Sequence, residues 1–402
     1  MHNNKRNNII WLSIFFILLV GLSIGSHYLY RSLHPLHTFT STHTRIYYIA
    51  ADEVMWDYAP SKKNLITNKS FTQQEAIYAL SGTKQIGSTY RKAIYRQYTD
   101  KTFKHLTVIP KSQLYLGLLG PTLHAEVGDT IKIYFKNNST FPVSMHPHGV
   151  FYNKDSEGAG YNDKISGKAN QGDSIPPGGQ YMYVWYIPER AGPGPMDPSS
   201  IMWMYHSHVD EVKDTNTGLV GSIIVTRRGM ARPDGTPKDV DKEFVTLFSI
   251  FNENTSWFLT DNIKTAIVNS HFVDTNDKNF QESNLKYSIN GYIYGNMPMM
   301  TMIQGERVRW YVASMGGESD LHTPHWHGNT VLINGMRTDV AQVLPMGMVT
   351  ADMIPDDPGI WLFHCHVNDH ILAGMITRYK VLPNNKTHSL SFPIENTVMP
   401  NM

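Results

Sequence analysis

Residues 128–150 read GDTIKIYFKNNSTFPVSMHPHGV, and residues 305–328 read GERVRWYVASMGGESDLHTPHWHG. Each stretch has a glycine, a run of β-branched and aromatic residues, and then histidines two positions apart. A second histidine pair follows each copy, in MYHSH at 204–208 and in LFHCH at 362–366. The chain therefore contains an internal repeat, and we predict one β-sandwich for each copy.

The remaining sequence past residue 40 supports an all-β fold. Short segments rich in β-branched and aromatic residues, such as 45–50, 180–187 and 221–226, are separated by Gly, Pro, Asn and Asp. This pattern is typical of sandwiches, and no long segment with helical periodicity competes with it. The charged stretch 227–242 contains Pro and Gly and is the predicted linker, with the boundary near 235. We therefore predict four parts of the chain: an N-terminal segment (1–38), a first domain (39–235), a second domain (236–385) and a C-terminal tail (386–402).

Composition excludes several classes of protein. Lys plus Arg total 35 and Asp plus Glu total 34 among 402 residues, so there is no basic excess for binding nucleic acid. The single cysteine excludes an intrachain disulfide framework and a zinc site built on several thiolates. Because 19 histidines and 20 methionines accompany it, copper is the metal to consider.

The N-terminus predicts export. Residues 9–22 are almost wholly apolar, and Lys5 and Arg6 precede them. This arrangement is typical of a cleaved secretory signal or of an uncleaved membrane anchor over residues 9–30. In both cases the rest of the chain faces the extracytoplasmic side, either anchored or secreted.

The histidine pairs predict metal binding. Residues i and i+2 of a strand point to the same face, so an H-x-H pair directs two imidazoles into one space. Two pairs per sandwich supply eight imidazoles, more than one metal can use. These eight are His146, His148, His206, His208, His325, His327, His364 and His366.

Cys365 narrows the choice of metal. His370 and Met375 follow it closely, and His322 adds a second histidine, which completes the His2Cys and weak axial Met set of a blue copper site. The Cys365 side chain points away from the face of His364 and His366. It therefore joins a one-electron site to a histidine cluster through one residue on each side, which gives all three residues catalytic roles in electron transfer.

The four clusters resemble the copper motifs of multicopper oxidases. The resemblance to the ceruloplasmin and hephaestin group extends over residues 44–382, in stretches such as YHSHVDEVKDTNTGLVGSIIV, DLHTPHWHG and GIWLFHCHVNDHILAGM. It implies two cupredoxin-like Greek-key sandwiches and an enzyme that reduces O2 to water. It also implies four coppers per chain, one of type 1, one of type 2 and two of type 3.

The resemblance also implies which residues hold each copper. Type 1 copper takes His322, Cys365, His370 and Met375; type 2 takes His146 and His325; type 3 takes His148, His206, His208, His327, His364 and His366. The first sandwich departs from this pattern, because Ser207 and Val212 stand where the second has Cys365 and His370. It therefore lacks a blue site, which weighs against a copper nitrite reductase.

Two acidic residues indicate the reductant. Glu282 and Asp369 match acidic residues of the iron-oxidation site in ceruloplasmin, and hard carboxylates suit iron. Tyr287 stands where that site has a histidine, so the match is partial. Fe(II) is the favoured substrate. A laccase-like oxidase of phenols or Cu(I) is the alternative enzyme, and a non-catalytic interaction module is the alternative of another class.

The remaining expectations concern assembly and proton supply. In the short laccases, a cluster that needs both sandwiches forms between neighbouring subunits. Three chains of two sandwiches each make a ring of six sandwiches. We therefore predict a homotrimer. Glu157 and Asp210, near the first histidine pairs, are candidate proton relays. Seven methionines are expected to pack around loops rather than to form a Cu(I) surface; they are Met297, Met299, Met300, Met302, Met346, Met348 and Met353.

Overall fold

The sequence repeat corresponds to two copies of one sheet pattern. A computed structural model describes residues 42–164, 167–317 and 319–384. The predicted N-terminal segment and the predicted tail 386–402 lie outside the described residues. The described residues belong to one compact unit, in which strands end at residue 226 and resume at residue 242. The boundary near 235 falls in this interval and stays a prediction.

The described residues contain nineteen strands, of which nine come before the predicted linker. They are β1 (Thr44–Asp57), β2 (Thr89–Tyr98), β3 (Leu123–Glu126), β4 (Thr130–Asn137), β5 (His146–Pro147), β6 (Phe151–Tyr152), β7 (Gln180–Tyr186), β8 (Ser200–His206) and β9 (Val220–Thr226). They form a five-stranded sheet in the order β2-β1-β4-β7-β6 and a four-stranded sheet in the order β3-β9-β8-β5.

Ten strands follow the linker. They are β10 (Lys242–Asn252), β11 (Leu285–Ile289), β12 (Met300–Ile303), β13 (Val308–Ser314), β14 (Pro324–Trp326), β15 (Val331–Ile333), β16 (Met336–Thr338), β17 (Met348–Met353), β18 (Gly359–Cys365) and β19 (Ile376–Leu382). Their sheets have the orders β11-β10-β13-β17-β15-β16 and β12-β19-β18-β14.

The two halves share their pairing pattern. β1 pairs antiparallel with β2 and parallel with β4, just as β10 pairs antiparallel with β11 and parallel with β13. The order β3-β9-β8-β5 likewise corresponds to β12-β19-β18-β14. The prediction of an all-β chain with two cupredoxin-like sandwiches is confirmed.

Three apolar cores hold the chain together. One lies inside the first sandwich around Ile133 and Trp185, and another lies inside the second around Trp310 and Phe363. A third joins outward-facing residues of both sandwiches, including Met204 of β8 and Leu247 of β10. Because this third core is continuous with strands from both halves, the sandwiches pack directly against each other.

In the part of the chain that the structure describes, five short α-helices lie in the connections between strands. They are α1 (Gln73–Ala79), α2 (Glu211–Thr217), α3 (Leu259–Ala266), α4 (Lys278–Ser283) and α5 (Asn368–Leu372). α1 is fixed by a capping box, in which Thr72 and Glu75 bond each other's main-chain N–H groups. α1 also contacts α4, so the long connection between β1 and β2 reaches the second sandwich. None of the helices in the described part of the chain has the length and apolar character needed to cross a membrane.

A glycine follows the first histidine pair of each sandwich for a steric reason. Gly149 has φ +73°, and a Cβ there would lie 2.1 Å from the Trp203 ring. Gly328 has φ +71°, and its Cβ would lie 2.4 Å from the Trp361 ring. Both tryptophans belong to the strand that carries the second histidine pair, so each glycine lets the two pairs approach.

We expect Gly149→Ala to lower the free energy of unfolding by about 2–4 kcal/mol, because a left-handed residue and a clash with Trp203 add together. The matched control is Gly229→Ala, since Gly229 has φ +78° and no atom lies within 4 Å of its Cβ position. The control should cost only about 1 kcal/mol. Denaturant unfolding of both variants measures the difference, and equal costs would contradict the steric explanation.

Candidate metal centre

Antiparallel pairing brings the histidine pairs together in each sandwich. His146 of β5 is the register partner of His206 of β8, and His325 of β14 is the partner of His364 of β18. Because the strands are antiparallel, His148 lies opposite Met204 and His208 lies beside Ser144, so these two histidines flank the aligned pair from opposite ends. The predicted pairs therefore form two quartets, one at the end of each sandwich.

The first quartet consists of His146, His148, His206 and His208. The Nε2 atoms of His148 and His206 lie 3.0 Å apart. The His146 ring centroid lies 5.2 Å from that of His208 and 5.4 Å from that of His148. Four imidazoles thus converge on one small space.

The second quartet repeats this arrangement with His325, His327, His364 and His366. The Nε2 atoms of His327 and His364 are again 3.0 Å apart. The His325 ring lies 5.1 Å from that of His364 and 5.3 Å from that of His366. The buried Nδ1 of His325 has no hydrogen-bond partner. A buried nitrogen without a partner is unfavourable unless a ligand satisfies it.

Main-chain carbonyls fix which ring nitrogens are free. The Nδ1 groups of His146, His206 and His364 donate to the carbonyls of Glu157, Ser207 and Cys365, at 2.7, 3.0 and 2.8 Å. The Nε2 atoms of these rings therefore keep their lone pairs. Burial lowers the pKa of His206 to about 3 and that of His364 to about 4, so both rings are neutral at physiological pH. Neutral imidazole is the form that binds metals.

A third cluster lies on the opposite side of β18. The Cys365 Sγ is 3.8 Å from the Nδ1 of His322 and 3.6 Å from the Nδ1 of His370, and these two nitrogens are 3.2 Å apart. All three residues are buried. Burial alone would raise the pKa of the Cys365 thiol, but its contacts with the two rings lower it to about 6. The thiolate, which is the metal-binding form, is therefore accessible at neutral pH.

The surroundings of this cluster fit copper. Met375 is fully buried in the same core as Cys365, and its main-chain carbonyl accepts from the Cys365 N–H at 3.1 Å. The Thr323 N–H donates to Sγ at 3.4 Å, and Asp320 Oδ1 lies 3.1 Å from His322 Nε2. Two imidazoles, a thiolate and a thioether in a buried space are the donor set of a blue copper site. Their assignment as copper ligands stays a prediction.

The first sandwich has no equivalent cluster. Ser207, at the position of Cys365, donates to a carboxylate oxygen of Asp214 at 2.6 Å. Val212, at the position of His370, is 59% exposed. Neither residue offers the thiolate or the imidazole found at the equivalent position of the second sandwich, and the absence of a blue site here stays a prediction.

The two quartets are not in contact within the chain. Among the described residues, each quartet histidine has its ring and hydrogen-bond contacts within its own quartet or with its own sandwich. Beside the second quartet lies an open cavity of about 350 Å³, lined by His325, His327, Asn329 and Asp339. Within the described residues, the second quartet therefore adjoins an open cavity and has no ring or hydrogen-bond contact with the first.

The acidic candidates lie beside the Cys365 cluster. The carboxylates of Glu282 and Asp369 both add to the effect of burial in raising the pKa of Tyr287, to about 12. The Tyr287 ring lies 5.3 Å from that of His370. Tyr78, at the end of α1, donates to Glu282 Oε1 at 2.7 Å and packs edge-on against Tyr287 at 5.6 Å. Tyr78 and Tyr287 therefore connect Glu282 to the His370 ring, and Asp369 precedes His370 directly in the chain.

The two candidate proton relays, Glu157 and Asp210, both pair with lysines. Glu157 contacts His146 through its carbonyl, whereas its carboxylate pairs with Lys154. Asp210 caps α2 and pairs with Lys213.

Four of the methionines, Met297, Met300, Met302 and Met353, are buried in the second core, as expected for packing residues.

Sequence reasoning did not identify Tyr78, Asp214, Asp320 and Thr323. A signal existed for Thr323, because it precedes His325 by two positions just as Ser144 precedes His146. No pattern marked Tyr78, which comes from the connection between β1 and β2 of the other sandwich. Asp214 lies in α2 and Asp320 lies in a loop, and the contacts of both depend on the whole fold.

Comparisons with known proteins agree with this geometry. Two family models, both described as multicopper oxidase, match residues 116–229 and 264–385. The chain belongs to the multicopper oxidase family. Membership implies copper as the metal.

Curated relatives are similar over most of this chain. Ferroxidase HEPHL1 of Homo sapiens is 46% identical over 349 residues, covering 86% of this chain and 30% of that protein. Hephaestin of Homo sapiens is 43% identical, covering 91% and 31%, and ceruloplasmin of Homo sapiens is 39% identical, covering 84% and 32%. The chain thus spans about a third of the length of these relatives.

Solved structures show the same fold. A multicopper oxidase crystal structure superposes with a TM-score of 0.51 at 18% identity, covering 84% of this chain and 88% of that one. Multicopper oxidase mgLAC superposes with a TM-score of 0.52 at 19% identity, covering 88% of this chain and 90% of that one.

Proposed function

We propose that this chain is an oxidase that couples one-electron oxidation of a reductant at the Cys365 cluster to four-electron reduction of O2 to water. The water-forming site is a trinuclear copper cluster held by the two quartets, so each chain binds four coppers. The observation that carries this proposal is the position of Cys365 between His364 and His366. The end of β18 therefore contributes residues to both the Cys365 cluster and the second quartet.

Each group of residues has a distinct role. Bound copper supplies one-electron redox chemistry that the side chains alone do not provide. The Cys365 thiolate and the His322 and His370 rings hold the electron-accepting site away from water. The Cys365 main chain leads directly to both flanking histidines, and its carbonyl accepts from His364 Nδ1 at 2.8 Å. Electrons therefore have a short path of covalent and hydrogen bonds from the thiolate to the second quartet.

We expect Cys365→Ser to abolish the blue absorption and to lower turnover by more than the roughly 100-fold typical of losing an outer hydrogen-bond partner of a metal ligand. A serine hydroxyl is not a soft ligand and does not form the required thiolate. Absorption spectra and O2 uptake by the copper-loaded protein test this.

The control for this variant is Thr377→Ser on the neighbouring strand β19, which removes one buried methyl group and should leave both readouts in place. The copper bound by the quartets should also survive in Cys365→Ser. An unchanged oxidase rate in that variant would contradict the proposed electron path.

Fe(II) is the proposed reductant. The ferroxidase name of the relative at 46% identity supports it, as does the hard carboxylate pair Glu282 and Asp369 beside His370. Carboxylates stabilise Fe(III) relative to Fe(II), which favours loss of an electron. Of the two histidines in the Cys365 cluster, His322 is closed off by Asp320, whereas His370 adjoins Tyr287 and the acidic pair. We therefore infer that electrons enter through the His370 edge.

We expect the double variant Glu282→Gln/Asp369→Asn to raise the KM for Fe(II) by about 10- to 100-fold, because each amide removes a charged ligand. Oxidation of a neutral phenol should be unchanged. Steady-state kinetics with Fe(II), Cu(I) and a phenol, compared with the control Glu189→Gln/Asp261→Asn, measures the effect. Equal losses with iron and phenol, or no loss with iron, would favour the laccase-like alternative.

Subunit assembly is the second part of the proposal. Because the quartets are not in contact within one chain, we propose a head-to-tail homotrimer in which the first quartet of one subunit meets the second quartet of its neighbour. Exposed apolar side chains on both sandwiches are available for such contacts: Phe151 and Met182 lie on β6 and β7, and Leu332 and Met336 lie on β15 and β16. Three closed head-to-tail contacts complete three clusters.

We expect light scattering of the copper-loaded protein to give three times the chain mass. Leu332→Glu/Met336→Glu should produce monomers that keep the blue absorption but lose the coppers shared between subunits, because charged residues oppose burial at the interface. Val268→Glu, at a position 98% exposed in the loop after α3, is the control. An active monomer would overturn the trimer.

The cellular location rests on residues outside the described part of the chain. We propose that the protein is exported and is either anchored through residues 9–30 or secreted after their removal. Its partners are then O2 and a small reductant, with no nucleic acid.

A further inference from the structure

The first sandwich keeps the scaffold of the blue site although it lacks the ligands. In the second sandwich the Thr323 N–H donates to Cys365 Sγ, and the His366 N–H donates to the Thr323 hydroxyl at 3.1 Å. In the first, the Ser144 N–H donates to Ser207 Oγ at 3.0 Å, and the His208 N–H donates to the Ser144 hydroxyl at 3.0 Å. Ser207 Oγ thus occupies the place of the thiolate.

A buried carboxylate takes the place of the histidine rings. Asp214 is 0% exposed, and its Oδ2 accepts from the Ser207 hydroxyl at 2.6 Å. The same oxygen accepts from the N–H groups of Val209 and Asp210, each at 3.1 Å. Three donors from the loop after β8 therefore converge on one oxygen. This loop carries His208, and its first residue, Ser207, follows His206 directly.

The other oxygen of Asp214 fixes the group to the second half of the chain. Trp257 Nε1 donates to Oδ1 at 2.8 Å. The Trp257 ring stacks on Phe141 at 5.0 Å, and Lys213 Nζ lies 4.5 Å from its centroid. Because both oxygens are hydrogen-bonded inside the protein, the carboxylate is held in one orientation.

We propose that Asp214 is a positioning residue for the first quartet. It gathers the loop after β8 and holds His206 and His208 where the copper cluster needs them. This inference rests on the proposed trinuclear cluster. It explains how the first sandwich loses Cys365 and His370 equivalents yet keeps an ordered quartet.

The test compares Asp214→Asn with Asp52→Asn in copper-loaded full-length protein. Asp52 is also a buried, hydrogen-bonded carboxylate of the first sandwich, but it bonds Tyr98 and Asn138 away from the quartet. Copper content, the blue absorption, and the electron paramagnetic resonance signal of type 2 copper are measured. We expect Asp214→Asn to keep the blue absorption and to lose about three of four coppers, while the control keeps all four.

Milder variants keep the inference testable if Asp214→Asn does not fold. Ser207→Ala and Trp257→Phe each remove one donor and should weaken retention of the quartet coppers against a chelator by about 5-fold or more. Unchanged retention in both, or four coppers in folded Asp214→Asn, would overturn the inference. Absence of type 2 and type 3 copper from the wild-type protein would instead overturn the proposed cluster, so the two failures are distinguishable.

Discussion

The pairing of β14 with β18 is the constraint on which the candidate centre depends. This register places His364 opposite His325 and Cys365 opposite Pro324. Since neighbouring side chains of a strand point to opposite faces, the thiol enters the buried cluster with His322 and His370, and the imidazoles on either side enter the quartet. A shift of one residue would exchange these faces and separate both groups of ligands.

The first sandwich has the equivalent strand register, but different side chains occupy the positions of Cys365 and His370. Its β5 and β8 align His146 with His206, and Gly149 and Gly328 allow the same close approach to a tryptophan. Where the second sandwich has a thiolate between two imidazoles, the first has Ser207 bonded to the Asp214 carboxylate. The two sandwiches therefore share one scaffold. The second has both the Cys365 cluster and a quartet, and the first has a quartet with Asp214 beside it.

Much of the candidate centre was predictable because its pattern is local. The H-x-H spacing sets which imidazoles share a face, and the repeat shows that the pattern occurs twice. The joining of the pairs into quartets was expected from the family resemblance and not from spacing, since His148 and His206 are 58 residues apart. Tyr78 did not follow, since it is 204 residues away from Glu282 and belongs to the other sandwich. Asp214 did not follow either, because its role depends on Trp257, which is 43 residues further along the chain.

The sequence by itself determined the all-β fold, the two copies and the residues that form each cluster, because strand periodicity and ligand spacing act over a few residues. Only the tertiary structure decided that the quartets of one chain are not in contact, that Asp320 contacts His322, and that Tyr78 and Tyr287 lie between Glu282 and His370. These arrangements depend on how the sandwiches pack through the third core and on the paths of long loops. No spacing within a segment encodes them, because they are set by contacts between residues far apart in the chain.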